Sequence, residues 1–277
     1  MNDPFITSIN TQRITMDWVD LIIQNLSNIY TPGYREIMGN FKTCMEGTQL
    51  DELGNKIDQG KSFPGTSPAN IYLEGSGYFC TKRPDGKIVY TRLGEFTFDG
   101  EGVYKSKEGY TVQGFILNDN GEIMSSPLTQ NKDPHTAAGT SGGPSLPATT
   151  DIKLWIDPSN GKYLGKYDEY EIKEDGVLYG KSDKGKVKVP LYKISVANFH
   201  NAAALTPVKE GYYAENKDSG KPVMGKGDIR SGLIEMSNTD FRGNIAYLQQ
   251  AKFQLEMTNK LVNTNKQLLE EALKLLQ

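Results

Sequence analysis

The sequence has 277 residues, which is enough for one or two domains around a sizeable core. Its 31 Lys and Arg residues against 34 Asp and Glu residues give a formal net charge of −3, and this balance gives no support to nucleic-acid binding. No apolar run approaches the roughly 20 residues of a membrane-spanning helix, so we expect no transmembrane segment.

Cysteine and histidine are too sparse to suggest reactive chemistry. The two cysteines, Cys44 and Cys80, exclude a disulfide-dense scaffold and a paired-cysteine metal site, and the sequence leaves open whether they pair with each other. The two histidines, His135 and His200, stand apart from any wider constellation of ligands or catalytic groups. We therefore expect no catalytic, metal-binding or cofactor-binding residues, no small-molecule substrate and no enzymatic activity.

The first predicted element is a helix over residues 5–29. Apolar side chains recur at alternating three- and four-residue steps, interrupted only by Gln12, which is the a/d pattern of a coiled-coil seam. Thr31-Pro32-Gly33 ends the helix, because proline cannot continue it and glycine suits the turn. The seam consists of Phe5, Ile9, Met16, Val19, Ile23 and Leu26.

Residues 71–200 are predicted to be β-structure with antiparallel neighbours, since short aromatic and β-branched runs alternate with Asp-Gly and Asn-Gly turn signals. The clearest strands are 71–73, 78–82, 88–92, 95–98 and 110–117. The turn signals are Asp85-Gly86, Asp99-Gly100, Asn120-Gly121, Asn160-Gly161 and Asp175-Gly176.

Within this region, residues 125–150 are predicted to form a flexible surface loop. The segment is rich in proline and glycine and cannot bury enough apolar surface to order itself. Its run Gly139–Gly143 lacks the Lys-Ser/Thr and the helix that follow a phosphate-binding loop.

The C-terminal region is predicted to be one long helix over residues 241–276, ~54 Å in length. A main apolar column recurs every seven residues, with a second column at Leu261, Leu268 and Leu275 and a small or polar column beside it. The main column consists of Ile234, Phe241, Leu248, Leu255, Val262, Leu269 and Leu276. The small or polar column contains Ala251, Thr258, Asn265 and Ala272.

These elements predict an α+β fold in which N- and C-terminal helices pair as a coiled coil and an antiparallel β-rich domain is inserted between them. We expect residues 1–40 and 228–277 to form the helical assembly domain. Residues 41–57 would be a connector and residues 58–227 the β-rich domain, with its flexible loop at about 125–150. Neither terminal helix can bury its stripe alone, so the terminal seams are candidate assembly interfaces.

Four motifs, in this order, give the chain a family likeness. The first is NLSNIYTPGYR at residues 25–35, and the last is GLIEMSNTD at residues 232–240. The second spans residues 59–79, with Gln59-Gly60, Thr66, Asn70-Ile71 and the run GSGYF at 75–79. The third is YTRLGEF at residues 90–96, followed by DGEG at residues 99–102. Together they resemble the bacterial flagellar rod and hook proteins, across about residues 5–118 and 187–277. The motif residues are Asn25, Asn28, Thr31, Gly33, Gly75, Gly77, Phe79, Tyr90, Thr91, Arg92, Gly94, Phe96, Gly232, Glu235, Ser237, Asn238 and Asp240.

The resemblance implies a structural subunit of the flagellar basal-body rod, or of the hook, that polymerises through its terminal helices for motility. The modest length and single β domain favour the rod type. The implied partners are further copies and neighbouring axial subunits. The N-terminus has no recognisable signal peptide, so the resemblance also implies export through the flagellum's own secretion apparatus without cleavage.

Two alternatives remain. A β-rich hydrolase would use carboxylates in the acidic stretch, and a carbohydrate-binding module would use its tyrosines for stacking. The carboxylates are Asp157, Asp168, Glu169, Glu171, Glu174 and Asp175, and the tyrosines are Tyr163, Tyr167, Tyr170 and Tyr179. Both alternatives leave the heptads at the termini unexplained. We expect Arg92 to be a structural partner on the sheet, and the stretch 237–240 to cap the second helix.

Overall fold

A computed structural model describes residues 4–44, 47–118, 120–124, 146–154, 169–182 and 187–275. It is an α+β protein, as predicted, with helices toward both ends and a large antiparallel β region between them. The chain divides into two compact units. Unit 1 comprises residues 1–30, 35–56 and 237–277, and unit 2 comprises residues 31–34 and 57–236.

Unit 1 contains two long helices and a hairpin. Helix α1 spans Pro4–Ser27 and helix α2 spans Phe241–Leu275, close to the two predicted helices. Strands β1 (Ile37–Cys44) and β2 (Gly47–Asn55) pair with each other antiparallel. Most of the predicted connector, 41–57, is therefore regular structure that belongs with the helices. A lone two-stranded hairpin is marginal in water, and here α1 packs against β2.

In its described residues, unit 2 is built from short antiparallel strands and one short 3₁₀ helix, Ala202–Ala204. The strands are β3 (Ser62–Pro64), β4 (Ile71–Glu74), β5 (Tyr78–Lys82), β6 (Ile88–Thr91), β7 (Phe96–Phe98), β8 (Tyr104–Ser106), β9 (Thr111–Ile116), β10 (Thr150–Asp151), β11 (Glu169–Ile172), β12 (Val177–Ser182), β13 (Val187–Ile194), β14 (Val196–Asn198), β15 (Thr206–Lys209), β16 (Tyr212–Ala214), β17 (Val223–Met224), β18 (Asp228–Ser231) and β19 (Leu233–Glu235). The main sheet runs β11-β12-β13-β9-β5-β6-β16-β15, and β18 pairs with β4 while β19 pairs with β3.

The core of unit 2 is aromatic and aliphatic. Phe79, Phe96 and Tyr104 are fully buried and meet edge to face, with ring centroids 5.8 and 5.4 Å apart. This is a geometry that aromatic quadrupoles favour. Phe98 stacks on Tyr104, with centroids 4.5 Å apart, so the pair Phe96 and Phe98 both contribute to this core.

Most local predictions for unit 2 are confirmed where the structure describes them. The five clearest strands correspond to β4, β5, β6, β7 and β9, and Gly86, Gly121 and Gly176 have the positive φ of tight turns. In the turn at Asp99-Gly100, however, the positive φ belongs to Gly102, and Thr150 at the end of the predicted loop is in β10. Residues 125–145 of the predicted loop, and the turn signal Asn160-Gly161, lie outside the described residues. No helix in the described part of the chain is long and apolar enough to cross a bilayer.

One placement is corrected. Residues 228–236 form β18 and β19 in unit 2, although they were expected to belong to the helical domain. Ile234 is therefore a buried strand residue opposite Phe63 in β3, and it is not part of a helical seam. The seven-residue spacing from Ile234 to Phe241 is coincidental, because α2 begins at Phe241.

Candidate assembly surface

Helices α1 and α2 pack against each other antiparallel. Gln12 Nε2 donates to Asn259 Oδ1 at 2.8 Å, and Asn25 Nδ2 lies 3.4 Å from Asn244 Oδ1. Residue numbers therefore increase along α1 in the direction in which they decrease along α2, which is the antiparallel arrangement. Between these two contacts, the rings of Trp18 and Tyr247 lie 6.2 Å apart.

The buried interior of the helix pair combines one large apolar residue, Ile22, with small or polar residues. Thr15, Ile22, Ala251 and Thr258 are buried. The two threonine hydroxyls donate to carbonyls one turn earlier in their own helices, at 2.8 and 2.9 Å, so their burial leaves no donor unpaired. Ala251 and Thr258, which belong to the small or polar column of α2, therefore face the inside of the helix pair.

The predicted apolar seams lie partly outside this interior. Val19, Leu26, Leu248, Leu255 and Val262 are half-buried, which fits the edge of the contact. Ile9, Met16, Ile23 and Phe241 are exposed. The side chains of Phe5 and Leu269 are not among those described, and Leu276 lies outside the described residues.

A polar network connects the end of α1, the hairpin and the start of α2 in unit 1. Asn25 pairs with both backbone groups of Ile37, donating to its carbonyl at 2.8 Å and accepting from its N–H at 3.0 Å. The buried carboxylate of Glu36 accepts from Asn244 Nδ2 and forms an ion pair with Lys56 Nζ at 3.2 Å. These contacts supply hydrogen-bond partners to buried polar groups, which would destabilise the fold if they were buried without partners.

The predicted cap of α2 is confirmed. Asp240 Oδ1 accepts from the backbone N–H of Arg242 at 3.1 Å, which is the contact expected of an N-cap aspartate. Asn238 accepts from the N–H of Glu36 at 2.7 Å and donates to the carbonyl of Lys56 at 3.0 Å. Ser237 Oγ accepts from the N–H of Thr239.

In unit 2, Arg92 and Glu235 form a buried ion pair that brings motif residues together. Arg92 Nη1 lies 3.1 Å from Glu235 Oε2, and the side chains are only 3% and 1% exposed. The same guanidinium donates to the carbonyls of Leu73 and Gly75, while Glu235 Oε1 accepts from the N–H of Gly60 at 2.9 Å. Arg92 is thus a structural partner, as expected, but its partner is 143 residues away in the chain.

Two motif glycines are required by close backbone approaches in unit 2. A Cβ on Gly94 would lie 1.6 Å from the carbonyl oxygen of Ile71, so no other residue fits without movement of backbone. Gly33 has φ +68°, and a Cβ there would lie 2.4 Å from the backbone nitrogen of Leu93. The N–H of Gly33 donates to the carbonyl of Glu235 at 2.8 Å, next to the ion pair.

The other motif residues fill turns and core. Thr91 Oγ1 donates to the carbonyl of Gly211 at 2.6 Å and accepts from the N–H of Leu93 at 2.9 Å. Asn28 Nδ2 donates to the carbonyl of Gln24 at the end of α1. Thr31 accepts from Tyr34 through its carbonyl. Phe79, Tyr90 and Phe96 are buried, and Gly75, Gly77 and Gly232 occupy positive-φ positions.

The residues of the two alternative functions have structural partners where they are described. Glu171 forms ion pairs with Lys181 and Lys188, and Asp175 Oδ1 caps its own turn at the N–H of Val177. The three carboxylates Glu171, Glu174 and Asp175 line an open groove of about 650 Å³.

The aromatic candidates are also engaged. Tyr170 packs on Phe98 with centroids 4.9 Å apart, and Lys173 lies 4.4 Å over Tyr179. His200 is exposed, and the thiol of Cys80 is free and buried. Asp157, Asp168, Tyr163, Tyr167 and His135 lie outside the described residues, and neither the side chain of Glu169 nor that of Cys44 is described.

Comparison with known proteins places this geometry in context. Residues 72–179 match the family model described as the flagellar hook protein FlgE/F/G D1 domain. The flagellar basal-body rod protein FlgG of Borreliella burgdorferi is 23% identical over 281 residues, covering 91% of this chain and 90% of the relative. FlgG of Bacillus subtilis is 23% identical over 93% of this chain and 92% of the relative. The flagellar hook protein FlgE of Rhizobium meliloti is 28% identical over 95% and 96%.

These matches support a flagellar rod or hook protein, and they favour the rod type. The family resemblance stated from the four motifs is therefore confirmed. The names of the relatives support a structural subunit of the flagellar axis, in agreement with the function expected from the sequence.

Sequence reasoning missed three features. It did not pair Arg92 with Glu235, it did not single out Glu36 and Asn244, and it placed the apolar seam rather than the small column inside the helix pair. Only the last had a signal in the sequence, since Ala251 and Thr258 are small enough to let two helices approach closely.

Proposed function

We propose that the protein is a subunit of the flagellar basal-body rod that polymerises through its terminal helices. The observation that carries this proposal is the distribution of side chains on unit 1. Apart from Ile22, the buried inside of the helix pair holds small or polar residues, whereas large apolar residues such as Met16 and Leu261 lie outside. Exposed apolar side chains do not stabilise an isolated monomer, but they stabilise a subunit whose neighbours cover them.

In this proposal, α1 and α2 form an antiparallel coiled coil, and the seam residues Val19, Leu26, Leu248, Leu255 and Val262 line its edge. Unit 2 forms the body of the subunit. Its motif residues fix that body rather than bind a ligand, and no catalytic turnover, cofactor or metal is part of the function. The subunit would reach the rod through the flagellar secretion apparatus without cleavage. Intact mass measurement of protein recovered from basal bodies tests that step, since a shortened N-terminus would contradict it.

The FlgG relatives support the rod because they align with this chain almost without insertion, over 281 and 287 positions. The FlgE hook protein of Rhizobium meliloti covers a similar share of both chains, but its alignment extends over 392 positions, well beyond the 277 residues of this chain. Locating an epitope-tagged subunit in isolated basal bodies by immunogold electron microscopy distinguishes the two: we expect label along the rod, whereas label on the hook would favour hook-like incorporation.

Leu255 tests the role of the helix pair. Leu255→Pro removes a helix hydrogen bond and kinks α2, at ~3 kcal/mol or more. Leu255→Ala truncates a half-buried leucine, which we place near the lower end of the range of roughly 2–5 kcal/mol known for core sites. We expect Leu255→Ala to weaken, and Leu255→Pro to abolish, motility and basal-body incorporation in cells that lack the wild-type copy.

The matched control is Gln249→Ala, an exposed site on the same helix, which should behave as wild type. Near-UV circular dichroism should show that unit 2 keeps its transition in all three variants. Normal motility with Leu255→Pro would contradict the proposal, because α2 could not then be an assembly element.

A further inference from the structure

Each helix of unit 1 carries a second, exposed apolar stripe. The α1 stripe consists of Ile9, Met16 and Ile23, which are 42%, 46% and 49% exposed. The α2 stripe consists of Leu261, Leu268 and Leu275, which are 56%, 57% and 88% exposed. In each stripe the residues are seven positions apart and the first and last are separated by 14 positions, so each stripe is ~21 Å long. The two stripes therefore match in length and period.

The two stripes lie on opposite flanks of the helix pair. One flank is marked by the contact of Trp18 with Tyr247, and Leu261 and Leu268 continue the column of Tyr247 at seven-residue steps. The other flank is marked by the hydrogen bond from Gln12 to Asn259. Ile9 and Met16 lie three residues before and four after Gln12, on that flank. A single pair therefore cannot cover one stripe with the other.

We propose that the α1 stripe of one copy docks on the α2 stripe of the next copy. This inference rests on the proposed function and adds which faces meet. Opposite faces give a heterologous contact, in which each copy uses two different surfaces. Such a contact leaves a free α1 stripe at one side and a free α2 stripe at the other, so it propagates instead of stopping at a dimer.

Charge favours this pairing over contact between like helices. Helix α1 carries one basic residue, Arg13, and two acidic residues, Asp17 and Asp20, for a net −1. Helix α2 carries five basic and three acidic residues, for a net +2. Contact between α1 and α2 of different copies therefore brings opposite net charges together, whereas α2 against α2 would oppose like charges.

The α2 stripe also extends past its own partner helix. Because the two helices are antiparallel and Gln12 pairs with Asn259, the numbers of two residues at the same height in α1 and α2 add up to about 270. Met16 is therefore at the height of residues near 254 in α2 of its own chain. Docking Met16 of a neighbour at Leu268 displaces that neighbour along the axis by about 14 residues, or ~21 Å. A staggered heterologous contact does not close into a ring and so builds a helical polymer.

The contact is small. A stripe ~21 Å long and about one helix wide buries far less than the roughly 800 Å² per partner of a stable complex. A pair of copies should therefore dissociate when dilute, and assembly should need several neighbours at once.

Cysteine cross-linking of the full chain tests the pairing, in a Cys44→Ser background so that the buried Cys80 is the remaining native thiol. Met16→Cys and Leu268→Cys proteins are mixed under conditions in which the wild type polymerises, and are then treated briefly with a thiol cross-linker. We expect the mixture to give a linked dimer containing one chain of each kind, and each protein alone to give none. The double variant should give a ladder of multimers. Gln249→Cys mixed with Met16→Cys is the control and should not link.

A second measurement separates contact from accessibility. Met16→Glu and Leu268→Glu should each raise the critical concentration for polymerisation about tenfold or more, the effect of ~1.4 kcal/mol. At high protein concentration, an equimolar mixture of the two should form a dimer through its remaining intact stripes, and this dimer should dissociate on dilution. If the protein polymerises but cross-links form only between two Met16→Cys chains, only between two Leu268→Cys chains, or not at all, the proposed pairing is wrong and the proposed function is unaffected. A wild-type chain that stays monomeric at every concentration overturns both.

Discussion

The buried ion pair of Arg92 and Glu235 allows a sharp test of what holds unit 2 together. Glu235→Gln preserves the shape of the side chain and an oxygen that can accept from the N–H of Gly60. It removes the negative charge 3.1 Å from Arg92 Nη1, and leaves a guanidinium that is 3% exposed without its counter-charge. Removing one member of such a buried pair costs about 3–5 kcal/mol.

The reverse variant adds a further loss. Arg92→Met leaves the buried carboxyl of Glu235 without its cationic partner, and it also deprives the carbonyls of Leu73 and Gly75 of their donor. We expect a cost at or above that of Glu235→Gln. The double variant leaves no uncompensated charge, so its destabilisation should be smaller than the sum of the two single effects by more than 1 kcal/mol.

Urea unfolding of the four proteins, followed by near-UV circular dichroism of the buried tyrosines, measures this cycle. Glu95→Gln is the control, since its partner Lys107 is 73% exposed and such surface pairs contribute about 0–1 kcal/mol. Additive single effects, or a Glu235→Gln variant as stable as the control, would refute the view that the pair acts as a unit.

Two further predictions concern unit 2. Burial raises the pKa of Asp151, but hydrogen bonds from Lys82 and Gln113 outweigh it and hold the pKa below its ordinary value. The stability from Asp151 is therefore complete above about pH 4 and is lost as the pH falls through the lowered pKa, so melting temperatures of wild type and Asp151→Asn should converge in acid. Burial raises the pKa of the Cys80 thiol to about 12, so in Cys44→Ser protein a thiol reagent at pH 8 should label Cys80 only at the rate of unfolding. Immediate labelling of folded protein would contradict this.

The β-structure of unit 2 was predictable because its signals are local. An Asp-Gly pair specifies a tight turn, and an alternating apolar run specifies a strand, without knowledge of the rest of the chain. The partners of those strands are a different matter. Strand β4 pairs with β18, more than 150 residues away, and no spacing in the sequence reports such a contact.

The misassigned stretch 228–236 shows the same limit. Ile234 continues the seven-residue column of α2 by chance, so periodicity alone extends the helical domain across it. Pairing of β18 and β19 with β4 and β3 overrides that pattern. Likewise, the motif residues Arg92 and Glu235 could be listed from the sequence, but their ion pair depends on the tertiary fold that brings β6 and β19 together.

The register of the helix pair could not be chosen from hydrophobicity. Helix α2 offers an apolar column and a small column side by side, and burying leucines would be worth ~1.5–3 kcal/mol each in a self-sufficient pair. The pair instead buries Ala251 and Thr258 of α2, together with Thr15 and Ile22 of α1. The apolar columns are then turned partly or wholly outward, where only another protein surface can cover them. A subunit that satisfied its own leucines would be a more stable monomer, but it would have less to gain from a neighbour. Substituting Leu268 by a polar residue should therefore change the stability of the dilute monomer little and the stability of the polymer strongly, a difference that a residue buried within the pair, such as Ile22, should not show.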